Sequence, residues 1–431
     1  MRRRPSLVVL VHAAALCLAL AALAHTLRHG LDEPAAALAL GLLVVAGELS
    51  RRPGDGASRE PAPLGAAGAL AYALLGQNTG EPTRHGVLQT VAVVAVAALA
   101  GALPRLVARR GPAVHGSVPG HPARGRDSLA DHLARRVLAV ALAALCFRLL
   151  YHRGAVPEWH GPSYVPLLAG LLLLTAVCDA VLGALLVRVR TGWPLGPLLR
   201  DGLRALLGVG SAVCATGVVM SVAVAVAGLW ALPVFSLPLL LAQLSFRRYA
   251  TVRTIYRQTI ASLARATEIA GYTPPGHARR VAVLSLAVGR ELGLTEPELT
   301  VLEYAALMHD IGQLSLVDPV PAGATAALPA AQQRRIALLG GAVVRQTGVD
   351  AEVAVVVERQ AEPYREQPVG ARIVRAVNAY EEHARDAGPD GPLRAVERLR
   401  RGTARDYQPE IVESLARVLA RGREAADGCH G

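Results

Sequence analysis

An adjacent histidine and aspartate, His309-Asp310, stand at the end of a helical pattern in the last third of the chain. Side chains of these types hold divalent cations or exchange protons. Alone the dipeptide carries little, because a chain of 431 residues with this composition has about 0.4 of them by chance. Two further residues are chemically pointed, Asp179 and Glu48, because each falls in an apolar run where a charge is costly. Asp179 is read either as a ligand-sensing or proton-carrying group, or as a charge pairing near the interface within a turn or two of Arg188. All 45 basic residues are arginine, which excludes any mechanism that needs a lysine. Of the five cysteines, Cys17, Cys146, Cys178 and Cys214 lie in apolar runs and Cys429 in the tail, with no CxxC knuckle and no disulfide framework.

The elements that must carry these residues fall into two halves. With 52% apolar and 18% charged residues, the chain is too long for one ordinary domain and too apolar before Arg247 for a soluble one. Its formal charge of +12 is dispersed between apolar runs, which points to a lipid bilayer as partner and away from a nucleic-acid polymer. A bilayer core about 30 Å thick takes about 20 apolar residues per helix. Stretches of this kind lie at 7–27, 31–49, 63–77, 87–107, 133–151, 164–187, 205–229 and 231–246, so a polytopic α-helical domain of about eight spans is expected over residues 1–246. Arg2-Arg3-Arg4 reads as the flank of an anchor, because the following apolar run is long and another succeeds it at once. With the N-terminus inside, 17 arginines fall in inner segments, while Arg28, Arg84, Arg148 and Arg153 fall in outer ones. This positive-inside asymmetry predicts a multi-pass protein of the inner (cytoplasmic) membrane with both termini cytoplasmic. No paired half-helix breaks recur between two halves, so transport finds little support.

From Arg247 charged and apolar residues mix with helical spacing, and an all-α cytoplasmic region is expected. Residues 247–271 form a linker helix whose stripe Ile255, Ile260, Leu263, Ala266 and Ile269 suits a homodimer. After a break at 272–276, Val281, Leu284, Val288 and Leu292 line one face of a helix that Gly293 ends. Thr295 and Glu298 make a capping box with Pro297 in the first turn. The ladder Leu299, Leu302, Ala306 then leads into Met308-His309-Asp310-Ile311-Gly312, where the glycine is expected to stop the helix.

Taken together, several runs resemble HD-GYP domains, a branch of the HD metal-dependent phosphohydrolases. They are Leu263-Ala264-Arg265-Ala266-Thr267-Glu268, Tyr272-Thr273, Gly276-His277-Ala278-Arg279-Arg280-Val281, Glu291-Leu292-Gly293-Leu294 and Ala305-Ala306-Leu307-Met308-His309-Asp310-Ile311-Gly312. Ala371-Arg372-Ile373-Val374-Arg375-Ala376-Val377-Asn378 and Asp406-Tyr407-Gln408-Pro409-Glu410-Ile411-Val412 continue the resemblance, which covers about 170 residues and places the domain at 272–431. It implies hydrolysis of phosphodiesters, typically cyclic di-GMP, by two or three metal ions such as manganese, iron or zinc. His277, His309 and Asp310 match metal-ligand positions, Asn378 stands at the family's last metal-binding aspartate, and Glu268 matches a position that ligates in some relatives. The residues also admit plainer readings. His277 is then an exposed histidine at a helix start, His309-Asp310 a structural pair, and Glu268, Asp318, Glu381 and Glu382 solvated carboxylates. Arginines 394–405 read as a solvated face or one lying on anionic lipid.

The departures from the family pattern are specific. Gln313 replaces the lysine after HDIG, and Ala337 replaces a histidine ahead of Gly341-Ala342. Glu358-Arg359-Gln360 takes the place of the HHE segment, and the GYP triplet is absent near Glu362-Pro363-Tyr364. Asn378 supplies no negative charge, and Arg359 is expected to repel a cation. Three ligands of about seven survive. The expectation is a membrane-bound signalling protein whose HD-GYP-like domain is a non-catalytic binding or output module with a cyclic dinucleotide or a protein as partner. The alternative is a phosphohydrolase working from a reduced site of His277, His309, Asp310 and Asn378.

Overall fold

The computed structural model describes residues 7–50, 63–108, 129–152, 164–317, 320, 325, 328–386 and 391–427. These residues are almost wholly helical, and the one sheet among them is a two-residue hairpin, β1 (Gln77–Asn78) with β2 (Glu81–Pro82). The chain divides into two compact units, one extending to Ala250 and the other beginning at Thr251.

The first unit contains α1 (Leu7–His29), α2 (Pro34–Leu49), α3 (Pro63–Ala73), α4 (Val87–Ala108), α5 (Leu129–His152), α6 (Tyr164–Thr191), α7 (Leu195–Ala205), α8 (Ser211–Ala227) and the start of α9 (Ala231–Ile269). Three of its helices are long and apolar enough to cross a bilayer: 7–29, 87–104 and 165–191. The expected count of about eight spans is therefore not supported. Helix α3 has only 11 residues, about 16 Å at 1.5 Å per residue, and α2, α8 and the apolar start of α9 are also short. Helix α5 is long but carries Asp131, Arg135, Arg136 and Arg148. Small residues let α2 and α3 meet backbone to backbone, since a Cβ on Gly47 would lie 2.1 Å from the Gly65 nitrogen.

Helix α5 gathers the charges of this unit. Asp179 is held bidentately by Arg135, at 2.9 Å to Nε and 2.5 Å to Nη2, while Gly183 one turn on leaves space for the guanidinium. Its partner is thus on α5 and not among the arginines that follow it on α6. Glu48 is wholly buried and meets His132 at 2.8 Å and Arg136 at 3.1 Å. Asp131 meets His12 and Arg190, each at 2.7 Å.

The second unit continues from α9 into α10 (His277–Glu291), α11 (Glu296–Met308), a 3₁₀ turn (Ile311–Ser315), α12 (Ala330–Gln346), α13 (Ala351–Arg359), α14 (Val369–Asp386), α15 (Gly391–Arg401) and α16 (Pro409–Asp427). Helix α14 is central: it packs on α10, α11, α13, α15 and α16, and its Ile373, Val374, Ala376 and Val377 are buried. Around it Val281, Val288, Leu302, Val353, Val357, Leu399 and Leu415 complete one apolar core. Ile260 and Ala264 of α9 belong to that core, whereas Ile255 and Ile269 of the expected dimer stripe are exposed. The capping box of α11 is present, with the Thr295 N–H donating to Glu298 at 2.7 Å. Helix α10 ends at Glu291, followed by Gly293 at φ 81°. Gly312 does not stop α11, which ends earlier, at Met308. It sits in the 3₁₀ turn and is pressed against the backbone of α12.

Candidate metal centre

Three helices deliver the site. His277 opens α10 directly after Gly276, whose φ of 73° turns the chain into the helix, and His277 is only 2% exposed. The exposed-histidine reading of this residue is therefore wrong, because packing against α14 closes over the ring. On a continuing helix His309 and Asp310 would diverge by about 100°. Here α11 ends at Met308 and Asp310 leaves helical geometry, with φ −98° and ψ 0°. Asp310 Oδ2 then lies 3.1 Å from His309 Nε2 and 3.4 Å from His277 Nε2, and one donor atom from each of the three residues falls within 4.8 Å of the others.

The surroundings fix these groups. His309 Nδ1 donates to the Ala306 carbonyl at 2.9 Å, the kind of outer contact that holds a ligating imidazole in one orientation. Burial alone would strip the proton from His309, but the charge and contact of Asp310 outweigh it and its pKa is pushed up to about 9. Burial would likewise raise Asp310. The charge of His309 and hydrogen bonding from both histidines instead hold it well below the usual carboxylate range. His309 Nε2 and Asp310 Oδ2 are buried and make no well-directed hydrogen bond. Buried nitrogen and oxygen atoms converging in this way fit one divalent cation of the manganese, iron or zinc type.

Beside the cluster lies a cavity of about 60 Å³, reached by His309, Asp310, Gln360, Arg375, Asn378 and Tyr407. Ala337 and Ala361 also line it, so the wall next to the three ligands carries alanines and amides where a second cation would need anions. Of the segment Glu358-Arg359-Gln360, only Gln360 reaches the site, donating to the His309 carbonyl at 2.8 Å. Glu358 turns to Arg345. Arg359 binds Glu362 at 2.8 Å and the Glu366 carbonyl, so it does not stand beside the cluster as expected; the arginine on the cavity wall is Arg375. Gln313 is fully buried and neither of its amide atoms finds a partner.

Asn378 is 7% exposed and accepts from His277 Nε2 at 2.9 Å. Its amide nitrogen donates to Glu382 at 2.9 Å. Glu382 is 2% exposed, so reading it as a surface carboxylate was wrong: it lies one turn past Asn378 on the face of α14 that packs into the domain. Glu381 does face outward and pairs with Arg280 at 2.9 Å. Glu268 is half-buried and is not among the converging ligands, and Asp318 lies outside the described residues. Arg400 and Arg401 of the arginine-rich segment are exposed and paired with Glu413 and Glu397.

No family model and no curated protein matches the chain. Among solved structures, the HD domain of the L. monocytogenes phosphodiesterase PgpH is matched at 14% identity, over 38% of this chain and 97% of that one, with a TM-score of 0.27. A TM-score this low carries no argument, and the functional reading rests on the residues described above.

Proposed function

We propose that the chain is a multi-pass membrane protein with both termini cytoplasmic, whose second unit is an HD-type domain that holds one divalent metal ion. This domain serves as a binding or output module in signalling and not as a two-metal phosphodiesterase. The observation that carries the reading is the pairing of a convergent His277, His309 and Asp310 cluster with a neighbouring wall of Ala337, Gln360, Ala361 and Asn378. Among the described residues one cation has its ligands and a second has none, and stabilising a displaced phosphoryl group between two cations needs both.

The metal, when bound, would supply a Lewis-acidic centre with open coordination positions. A second reading, single-metal phosphodiester hydrolysis, is favoured by Arg375 on the cavity wall, where its guanidinium could meet an anion. The two readings separate on purified protein loaded with manganese, iron or zinc. We expect one ion per chain, lost in the double variant His309→Ala, Asp310→Ala, and cleavage of cyclic di-GMP no faster than in that variant. Turnover that disappears with the double substitution would establish hydrolysis, and an absence of bound metal in the unmodified chain would overturn both readings.

A further inference from the structure

The site reading leaves one buried charge unexplained. Glu382 is 2% exposed, one turn beyond Asn378 on α14, and no expected ligand position corresponds to it. Its contacts tie it to the cluster. Asn378 Nδ2 donates to Glu382 Oε1 at 2.9 Å, and Thr325 Oγ1 donates to the same oxygen at 3.3 Å. The Glu382 oxygen that takes both bonds is the acceptor, which places the amide nitrogen of Asn378 on its side. The amide oxygen is then the end that faces His277 Nε2, at 2.9 Å. A chain of polar contacts therefore runs from Glu382 through the amide to His277, and from there to Asp310 and His309.

The charges can be counted along that chain. Asp310 brings one negative charge to the cluster and Glu382 a second, while position 378 brings none. A carboxylate accepting from the amide N–H also polarises the amide, and so strengthens its oxygen as an acceptor or donor atom toward the site. Outer carboxylates that orient metal-binding groups act in the same way, and losing one typically costs about 10–100-fold in metal affinity.

Resting on the metal-site reading above, we infer that Glu382 is the positioning carboxylate of this centre, supplying through Asn378 the negative charge that position 378 lacks. Asn378→Asp would place a carboxylate directly at position 378. With Glu382 in place, that change sets two carboxylates against each other where a hydrogen bond of 2.9 Å now stands, so it should not improve metal binding. Moving the charge, with Asn378→Asp combined with Glu382→Gln, should restore most of the affinity that Glu382→Gln alone loses.

The test is calorimetric titration of the full-length chain in detergent with manganese and with zinc. Glu382→Gln keeps an acceptor for the Asn378 amide but removes the charge, and should weaken binding by about 10–100-fold. Glu381→Gln, which loses only its contact with Arg280, should leave affinity unchanged. Asn378→Asp alone should bind no better than the unmodified chain, and the double variant should recover most of what Glu382→Gln lost. That recovery is the readout a purely structural role would not produce. Equal affinity in the unmodified chain and Glu382→Gln, or a gain from Asn378→Asp alone, would overturn the inference while leaving the metal site standing. A folded double variant that fails to recover would overturn it too. An unmodified chain that binds neither metal would overturn the site reading and this inference together.

Discussion

Replacing Gly312 with alanine should force α12 away from the turn that carries His309 and Asp310. A Cβ at this position would lie 2.0 Å from the Ile336 carbonyl oxygen, 2.7 Å from the Gly340 nitrogen and 3.0 Å from the Ile336 carbonyl carbon. Ordinary contacts between heavy atoms begin near 3.5 Å, so a retreat of more than about 1 Å is needed. The obstructing atoms are backbone, and no rotamer change can move them aside. Overpacking of this kind costs about 1–3 kcal/mol, and a backbone obstacle puts the cost at the upper end. For a domain of this size each kcal/mol shifts the melting temperature by about 2–4 °C, so a fall of roughly 6–12 °C is expected.

The assay is thermal melting of residues 251–431, followed by circular dichroism with a chelator present so that bound metal plays no part. The apolar core of this unit, from Ile260 to Leu415, is drawn from its own residues, and the fragment should fold cooperatively without metal. Gly422→Ala is the control. A Cβ there meets nothing within 4 Å on a helix, and removing the glycine should stabilise by about 0.5–1 kcal/mol. Melting of Gly312→Ala within about 1 °C of the unmodified fragment would refute the claim that the HDIG-like glycine is a packing requirement. Unfolding of the unmodified fragment in chelator would show that metal holds the domain together.

Glu291 pins α16 to α10 through Arg417 at 3.1 Å and Arg421 at 2.6 Å. Burial raises its pKa, but the two arginines outweigh burial and hold it below the usual value. A depressed carboxylate stabilises the fold above its unfolded pKa, near 4.3, and loses that contribution as the pH falls through its lower folded value. Between pH 6 and pH 3 the unmodified fragment should therefore lose more melting temperature than Glu291→Gln. Above that window the substitution should cost about 1 kcal/mol, because both arginines are partly exposed although Glu291 is not; parallel acid profiles would remove the ion pair from the account. For the membrane unit, a reporter active only outside the cytoplasmic membrane should be silent when fused at Gly431 and active when fused after Gly80, and activity at Gly431 would mean that an odd number of segments crosses.

What the sequence made legible was local chemistry. The capping box of Thr295 and Glu298, the stop at Gly293 and the adjacent His309-Asp310 each depend on a few neighbouring residues, and each can be read from spacing. Span counting failed for a different reason: mean apolarity does not say how long a helix runs, and α3 breaks off after 11 residues. Arg359 and Gln360 show how little alignment says about direction, since adjacent residues on α13 and at its end turn to a loop and to the site respectively. Glu382 was missed because an acid in an amphipathic helix ordinarily faces water. Yet a signal for it was present. Arg375, Asn378 and Glu382 recur at intervals of three and four, with Ile373, Val374, Ala376, Val377 and Ala379 between or beside them, all buried. Those three positions fall on the face shared with the buried apolar residues, while Arg385 is exposed and Arg372 and Glu381 are half-buried, so a polar stripe of that period faces a shared polar interior. Arg375 and Asn378 line the cavity and Glu382 accepts from the Asn378 amide, so α14 is the wall that sets an arginine and a buried carboxyl group beside His277, His309 and Asp310.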